Sequence, residues 1–175
     1  MDIFIEELQD SDMEELLAFE LENRAFFEEM VPSRGDDYYT PAHFNESHKA
    51  LLDEQTRGAS FFYLIKDKHH SILGRINVVD IEENQRIGHL GYRVGQIYTG
   101  RGIANRALQL LLKKIVDKDI KQIHAKTTTT NIPSQKVLEK NGFKKVATSE
   151  EGFEMNGQNL HFVYYTLTTM LSGTN

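Results

Sequence analysis

Apolar positions recur along this chain in two periods. Leu16, Leu17, Phe19, Leu21 and Phe26 follow helical spacing. Asp10 or Ser11 is placed to cap that helix, with Glu14 and Glu15 in its first turn. A short strand over residues 3–8 precedes it. Residues 30–37, Met-Val-Pro-Ser-Arg-Gly-Asp-Asp, break the pattern as a polar loop. Thr40-Pro41 then opens a second helix, with Thr40 as N-cap and Pro41 in the first helical position, ending near Gly58. Strand patterns follow over residues 60–65, 72–79 and 87–94, separated by polar turns at 66–71 and 80–85. In the third strand, alternation sets Leu90, Tyr92 and Val94 on one face and His89, Gly91 and Arg93 on the other.

The most regular helical stripe lies over residues 101–116, where Ala104, Ala107, Leu108, Leu111, Leu112 and Ile115 share one face. A strand over 123–127 follows, then a helix over 131–140 closed by Asn141-Gly142 as a left-handed cap. Two last strands occupy 143–148 and 162–167. Helices, a three-strand meander, then helix, strand, helix and two strands define a mixed α/β domain. The helix between residues 94 and 123 suits a crossover joining parallel neighbours. No repeat or linker interrupts the series. One domain is expected over residues 1–171, with a loose tail at 172–175.

Composition narrows the classes. At 175 residues the chain can bury a sizeable core. The absence of cysteine excludes a disulfide, a thiol nucleophile and a cysteine-based zinc site. No apolar run reaches the length of a membrane span. The start, Met1-Asp2-Ile3-Phe4-Ile5-Glu6-Glu7, is acidic rather than basic, so no secretory leader and a cytoplasmic location are expected. A net charge of −6 argues against a nucleic-acid partner and is compatible with a cationic amine substrate. The seven histidines are scattered, and no metal site is expected.

The chemistry concentrates in residues 92–104, Tyr-Arg-Val-Gly-Gln-Ile-Tyr-Thr-Gly-Arg-Gly-Ile-Ala. A strand end, a glycine-punctuated turn and a helix start aim unpaired N–H groups and a positive dipole end at one point, which suits a pyrophosphate. Gly95 and Gly100 have the spacing of a nucleotide phosphate loop. Arg101-Gly102 stands where that loop needs Lys-Ser or Lys-Thr, so ATP is disfavoured, and no G-x-G-x-x-G supports NAD.

Three segments together carry a resemblance: Thr99-Gly100-Arg101-Gly102-Ile103-Ala104, Asn131-Ile132-Pro133-Ser134 and Asn141-Gly142-Phe143. With Gly91-Tyr92 and the late Asn156-Gly157, they resemble the Gcn5-related N-acetyltransferase (GNAT) superfamily, and within it the RimJ and RimL branch of ribosomal-protein N-terminal acetyltransferases. The resemblance implies a mostly antiparallel central sheet flanked by helices, with a splayed strand pair forming an acyl-CoA cleft. It implies acetyl-CoA as co-substrate. Backbone at Gly100, Arg101, Gly102, Ile103 and Ala104 would cradle the pyrophosphate, the strand at Tyr92 and Val94 would take the pantetheine arm, and Asn131 and Ser134 would lie beside the thioester.

Acetyl transfer requires a deprotonated amine, a polarised carbonyl and a stabilised leaving thiolate. The resemblance implies that the N–H of Val94 or a neighbour polarises the carbonyl and that Ser134 serves the thiolate. Many relatives carry a strand glutamate as base, where this chain has His89. Glu151 and Glu154 are the alternatives, set against a plain solvated turn. Many relatives carry a helix tyrosine where Leu138 stands, and Arg or Gln where Thr99 stands. Acceptor recognition is assigned to the first two helices and their loop, through Asn23, Arg24, Phe27, Arg34 and an exposed rim at Tyr38 and Tyr39, with Phe26 expected in the core. The leading acceptor is a protein or peptide N-terminus. The alternatives are a small amine (polyamine, amino acid or antibiotic) and, in another class, a non-catalytic acyl-CoA sensor. Exposed edge strands are compatible with a homodimer.

Overall fold

The computed structural model describes residues 1–169, so the tail expected at 172–175 lies outside the described residues. Nine strands and five α-helices alternate as expected of a mixed α/β chain: β1 (Ile3–Glu7), α1 (Met13–Glu22), α2 (Arg24–Glu28), α3 (Pro41–Thr56), β2 (Phe61–Asp67), β3 (Ile72–Val79), β4 (Ile87–Val94), α4 (Ile103–Lys114), β5 (Gln122–Thr128), α5 (Ile132–Lys140), β6 (Lys144–Thr148), β7 (Phe153–Met155), β8 (Gln158–Leu160) and β9 (Phe162–Thr168).

Seven strands form one sheet in the order β1-β2-β3-β4-β5-β9-β6. Every neighbouring pair is antiparallel except β4 and β5, which run parallel across the α4 crossover. Helices cover both faces, and β2 shows why its sequence is an unbroken apolar run. Phe61, Tyr63 and Ile65 face the core beneath α4 and α5, whereas Phe62 and Leu64 face Leu16, Phe19, Phe27 and Phe44 of α1–α3. Ile103, Ala107, Leu108 and Leu111 seat α4 on the first of these layers.

Four local readings are corrected by the structure. Lys66 is not in a turn: it extends β2 and is buried, its ammonium 3.1 Å from Glu6 and 3.5 Å from Asp12. The first helix breaks at Asn23, whose Nδ2 donates to the Phe19 carbonyl and whose Oδ1 accepts the Gln96 N–H. The long helix begins at Ile103 rather than residue 101, because Gly102 is left-handed (φ 76), and its last turn tightens to a 3₁₀ segment at Ile115–Lys118. Residues 153–160, to which the sequence pattern assigns no strand, form the hairpin β7–β8 around Asn156-Gly157, both at positive φ.

One irregularity positions the site. β4 and β5 pair only at Ile87↔Gln122, Gly88↔Ile123 and His89↔His124. Beyond His89 the strands part. β4 stays paired to β3 as far as Val94, and β5 stays paired to β9 as far as Thr128. The edge of β4 facing β5 over residues 90–94 therefore has main-chain groups without strand partners, which need another source of hydrogen bonds.

Candidate active site

The gap between the parted strands is a cleft of about 590 Å³. β4, β5 and the starts of α4 and α5 form its walls, and Phe26, Phe27, Met30 and Val31 close it on the α2 side. It therefore reaches through the sheet, with α4 and α5 on one face and α1 and α2 on the other.

Strand alternation fixes which groups point into the cleft. Gly95 donates its N–H to the Leu73 carbonyl on β3 at 2.8 Å. Amides two residues apart share a direction, so those of Arg93 and Gly91 face β3, while those of Val94 and Tyr92 face the gap. An extended amide-bearing chain along this edge would pair as an added strand, and the Val94 N–H is free to polarise a carbonyl.

At the start of α4, Gly100 and Gly102 both take positive φ, 74° and 76°, and both line the cleft. The first helical bond runs from Arg106 N–H to the Gly102 carbonyl, so the amides of Ile103, Ala104 and Asn105 have no helical partner. No side chain caps them and no acid sits in the first turn. This is an anion cradle built from backbone. Arg101 is exposed and outside the cleft lining, so its charge is not brought to the cradle.

Across the cleft, Asn131 caps α5, its Oδ1 accepting the Ser134 N–H at 3.2 Å, and it also lines the cavity. The Ser134 hydroxyl meets the Tyr92 hydroxyl at 2.9 Å, bridging α5 to β4. Burial raises the Tyr92 pKa above its ordinary value, partly offset by the Ser134 hydrogen bond, so Tyr92 stays protonated at neutral pH.

The charges lining the cleft are Arg93, Lys126, Lys136 and Lys140, with no carboxylate. A protein of net charge −6 thus presents a cationic cleft, which fits the phosphates of coenzyme A. Sequence reasoning missed Lys136 and Lys140; their i,i+4 spacing on α5, beside the Asn131 cap, was the available signal.

A second cavity of about 520 Å³ shares Met30, Thr128, Asn131 and Pro133 with the cleft. It lies between the end of α2 and the hairpin β7–β8, whose Asn156 Nδ2 donates to the Glu29 carbonyl at 2.8 Å. Glu29 is the one acidic residue lining either cavity among the described residues. Only the tertiary contact between hairpin and helix reveals it.

The remaining candidates lie elsewhere. His89 is exposed where β4 and β5 part, its ring centroid 5.6 Å from that of His124, and lines neither cavity. Glu154 is exposed on β7, and neither it nor Glu151 lines a cavity. Leu138 is buried and offers no proton. Tyr39 is buried at 7% exposure beneath the Arg24 guanidinium, not on an exposed rim, and Tyr38 is half-buried against Phe44 with Arg34 over its ring. Phe26, expected in the core, packs half-buried against it and also lines the cleft. Arg93 is held by Glu20, fully buried, which also accepts from Arg75, and the Arg93 guanidinium stacks over Phe27. Among the described residues, no cluster of three or more His, Asp or Glu could hold a metal ion, and no helix is long and apolar enough to cross a membrane.

A parted parallel strand pair, an uncapped backbone cradle and a cationic cleft define an acyl-CoA-dependent transferase. Residues 2–144 match the acetyltransferase (GNAT) domain family, and the chain belongs to it. It is 27% identical over 161 residues to the probable N-acetyltransferase YjcK of Bacillus subtilis (strain 168), a match covering 89% of this chain and 87% of that protein. Among solved structures, the ribosomal-protein-S5-alanine acetyltransferase from Vibrio fischeri superposes with a TM-score of 0.88 at 22% identity, over 96% of this chain and 93% of that one. RimL, a ribosomal L7/L12 alpha-N-protein acetyltransferase in complex with coenzyme A, superposes at 0.86 and 19% identity, over 97% and 96%. The protein is an N-acetyltransferase with acetyl-CoA as co-substrate.

Proposed function

We propose that the acceptor is the α-amine of a peptide or protein N-terminus, of the kind that RimL and the S5-alanine enzyme acetylate. The observation that carries this reading is the second cavity. It continues the cleft toward solvent between α2 and the β7–β8 hairpin, and one acidic residue, Glu29, lines it. A polyamine bears several cations, and a site built for it would answer them with several carboxylates. A peptide N-terminus bears one cation on an extended chain, which a single carboxylate in an open, partly apolar groove suits. Met30, Met155 and Leu160 supply the apolar surface.

The amine attacks the thioester carbonyl directly: the C–N bond forms, the C–S bond breaks, and sulfur leaves with the electron pair. The Val94 amide stabilises the carbonyl oxygen as charge develops there. With Tyr92 donating to the Ser134 Oγ, the Ser134 O–H is free to hydrogen-bond the departing thiolate, which takes its proton from solvent while Tyr92 and Ser134 keep theirs. Glu29 attracts the ammonium form, and the proton lost from nitrogen passes to solvent at the open end of the groove. His89 and Glu154 take no part in this scheme.

The test is kcat/KM for a short peptide with a free N-terminus against kcat/KM for spermidine. The peptide is expected to be the better acceptor, with Glu29→Gln raising its KM. A clear preference for spermidine contradicts the reading.

A further inference from the structure

Four glycines lie in or beside the central strands, and packing explains three. A Cβ at Gly74 would stand 2.3 Å from the Arg93 carbonyl oxygen, and one at Gly88 would stand 2.4 Å from Val78 Cγ1. At Gly95 a Cβ would press on Phe19 and Tyr98 at 3.1 and 3.2 Å. Gly91 is different. A Cβ there would meet no heavy atom within 4 Å, and its φ lies outside the left-handed region. Mid-strand glycine weakens a strand, through lost backbone entropy and the absence of a side chain to pack. The chain therefore bears a local cost at Gly91 that its own packing does not require.

The direction of the open space identifies its occupant. Gly91 faces the same way as Arg93, which reaches Glu20 on α1 and Phe27 on α2. The space therefore opens toward α1 and α2. The backbone cradle of α4 and the Tyr92–Ser134 bridge lie on the opposite face. The pantetheine edge runs in the plane of the sheet, at right angles to a Cβ on Gly91. Gly91 also lines the cleft, three residues before the Val94 amide.

The geometry points to Gly91 as the specificity-determining residue of the acceptor side: its missing side chain makes the room in which the α-carbon and first side chain of the acceptor peptide lie against β4. This rests on the peptide N-terminal reading above.

The experiment compares wild type with Gly91→Ala and Gly91→Val. Thermal midpoints are measured first, then acetyl-CoA Kd by titration calorimetry, then steady-state acetylation of hexapeptides that differ only in beginning with Gly, Ser or Leu. The alanine variant is expected to melt no lower than wild type and to bind acetyl-CoA within about twofold, while acceptor KM rises about tenfold, more for Leu-first than for Gly-first peptides. The valine variant should show a larger rise; if it fails to fold, the alanine variant decides alone. An unchanged KM for every peptide overturns the proposal. So does an acetyl-CoA Kd that rises in step with KM, since the space would then belong to the co-substrate. A wild-type protein that binds acetyl-CoA but acetylates no amine overturns the peptide reading itself, and this inference with it.

Discussion

At the scale of single residues, the proposed chemistry rests on a short polar bridge. Tyr92, buried and held protonated, orients Ser134, and Ser134 faces the cleft. Ser134→Ala is expected to lower kcat by about tenfold to hundredfold while acetyl-CoA affinity changes little, measured by stopped assay and titration. Tyr92→Phe should cost less, and the double variant should be no worse than Ser134→Ala, because both changes remove one device. Gly100 and Gly102 were legible from their turn chemistry, whereas Asn131 and Ser134 were placed beside the cleft by the family resemblance. Glu29, Lys136 and Lys140 were not legible, because their place in the site depends on what packs beside them. His89 was named for its proton affinity, but it sits exposed where β4 and β5 part and lines neither cavity.

At the scale of elements, two joints border the cleft. One is the start of α4. Gly102→Ala would force a side chain into the left-handed region, at a cost of about 1–2 kcal/mol, and should loosen the amides proposed to meet the pyrophosphate. A raised acetyl-CoA Kd with an intact circular dichroism spectrum is the expected result. The other joint is Glu20, which clamps α1 to β3 and β4 through Arg75 and Arg93. Glu20→Ala leaves two buried guanidinium groups without their counter-ion, and denaturant unfolding should show a loss of about 3–5 kcal/mol. The sequence pattern placed β3 and β4 at their observed bounds because clear polar turns flank both. It missed β7 and β8 because strands of three residues are too short to show a period, and it ran α1 into α2 because the Asn23 side chain ends the helix by a contact with Gln96, 73 residues away.

At the scale of the whole molecule, function follows from a sheet that divides partway along its middle. Nothing in the local pattern announces that β4 and β5 share only three pairs; the family resemblance supplied that expectation, and the register of the two strands realises it. In the proposed scheme the divided sheet lets two substrates approach from opposite faces, one over basic residues and the other past Glu29. With a peptide acceptor, kcat/KM should rise with pH about an apparent pKa of about 8, that of an α-amine, rather than about 10 as for a lysine-like amine. No decline is expected before the ordinary tyrosine range, since burial holds the Tyr92 pKa up. Stability has its own alkaline limit. Burial pushes the Tyr63 pKa up to about 12 from 10.0, so the unfolded chain ionises first. The stability this side chain contributes is complete below pH 10 and is lost as pH rises to about 12, a loss of about 2–3 kcal/mol visible in alkaline unfolding curves.

The most direct measurement uses one peptide with a free N-terminus and an internal lysine, incubated with acetyl-CoA and the protein and then fragmented in a mass spectrometer. Acetylation of the α-nitrogen alone is the predicted result. Acetyl on the lysine, or an unmodified peptide in the presence of protein saturated with acetyl-CoA, would contradict the account.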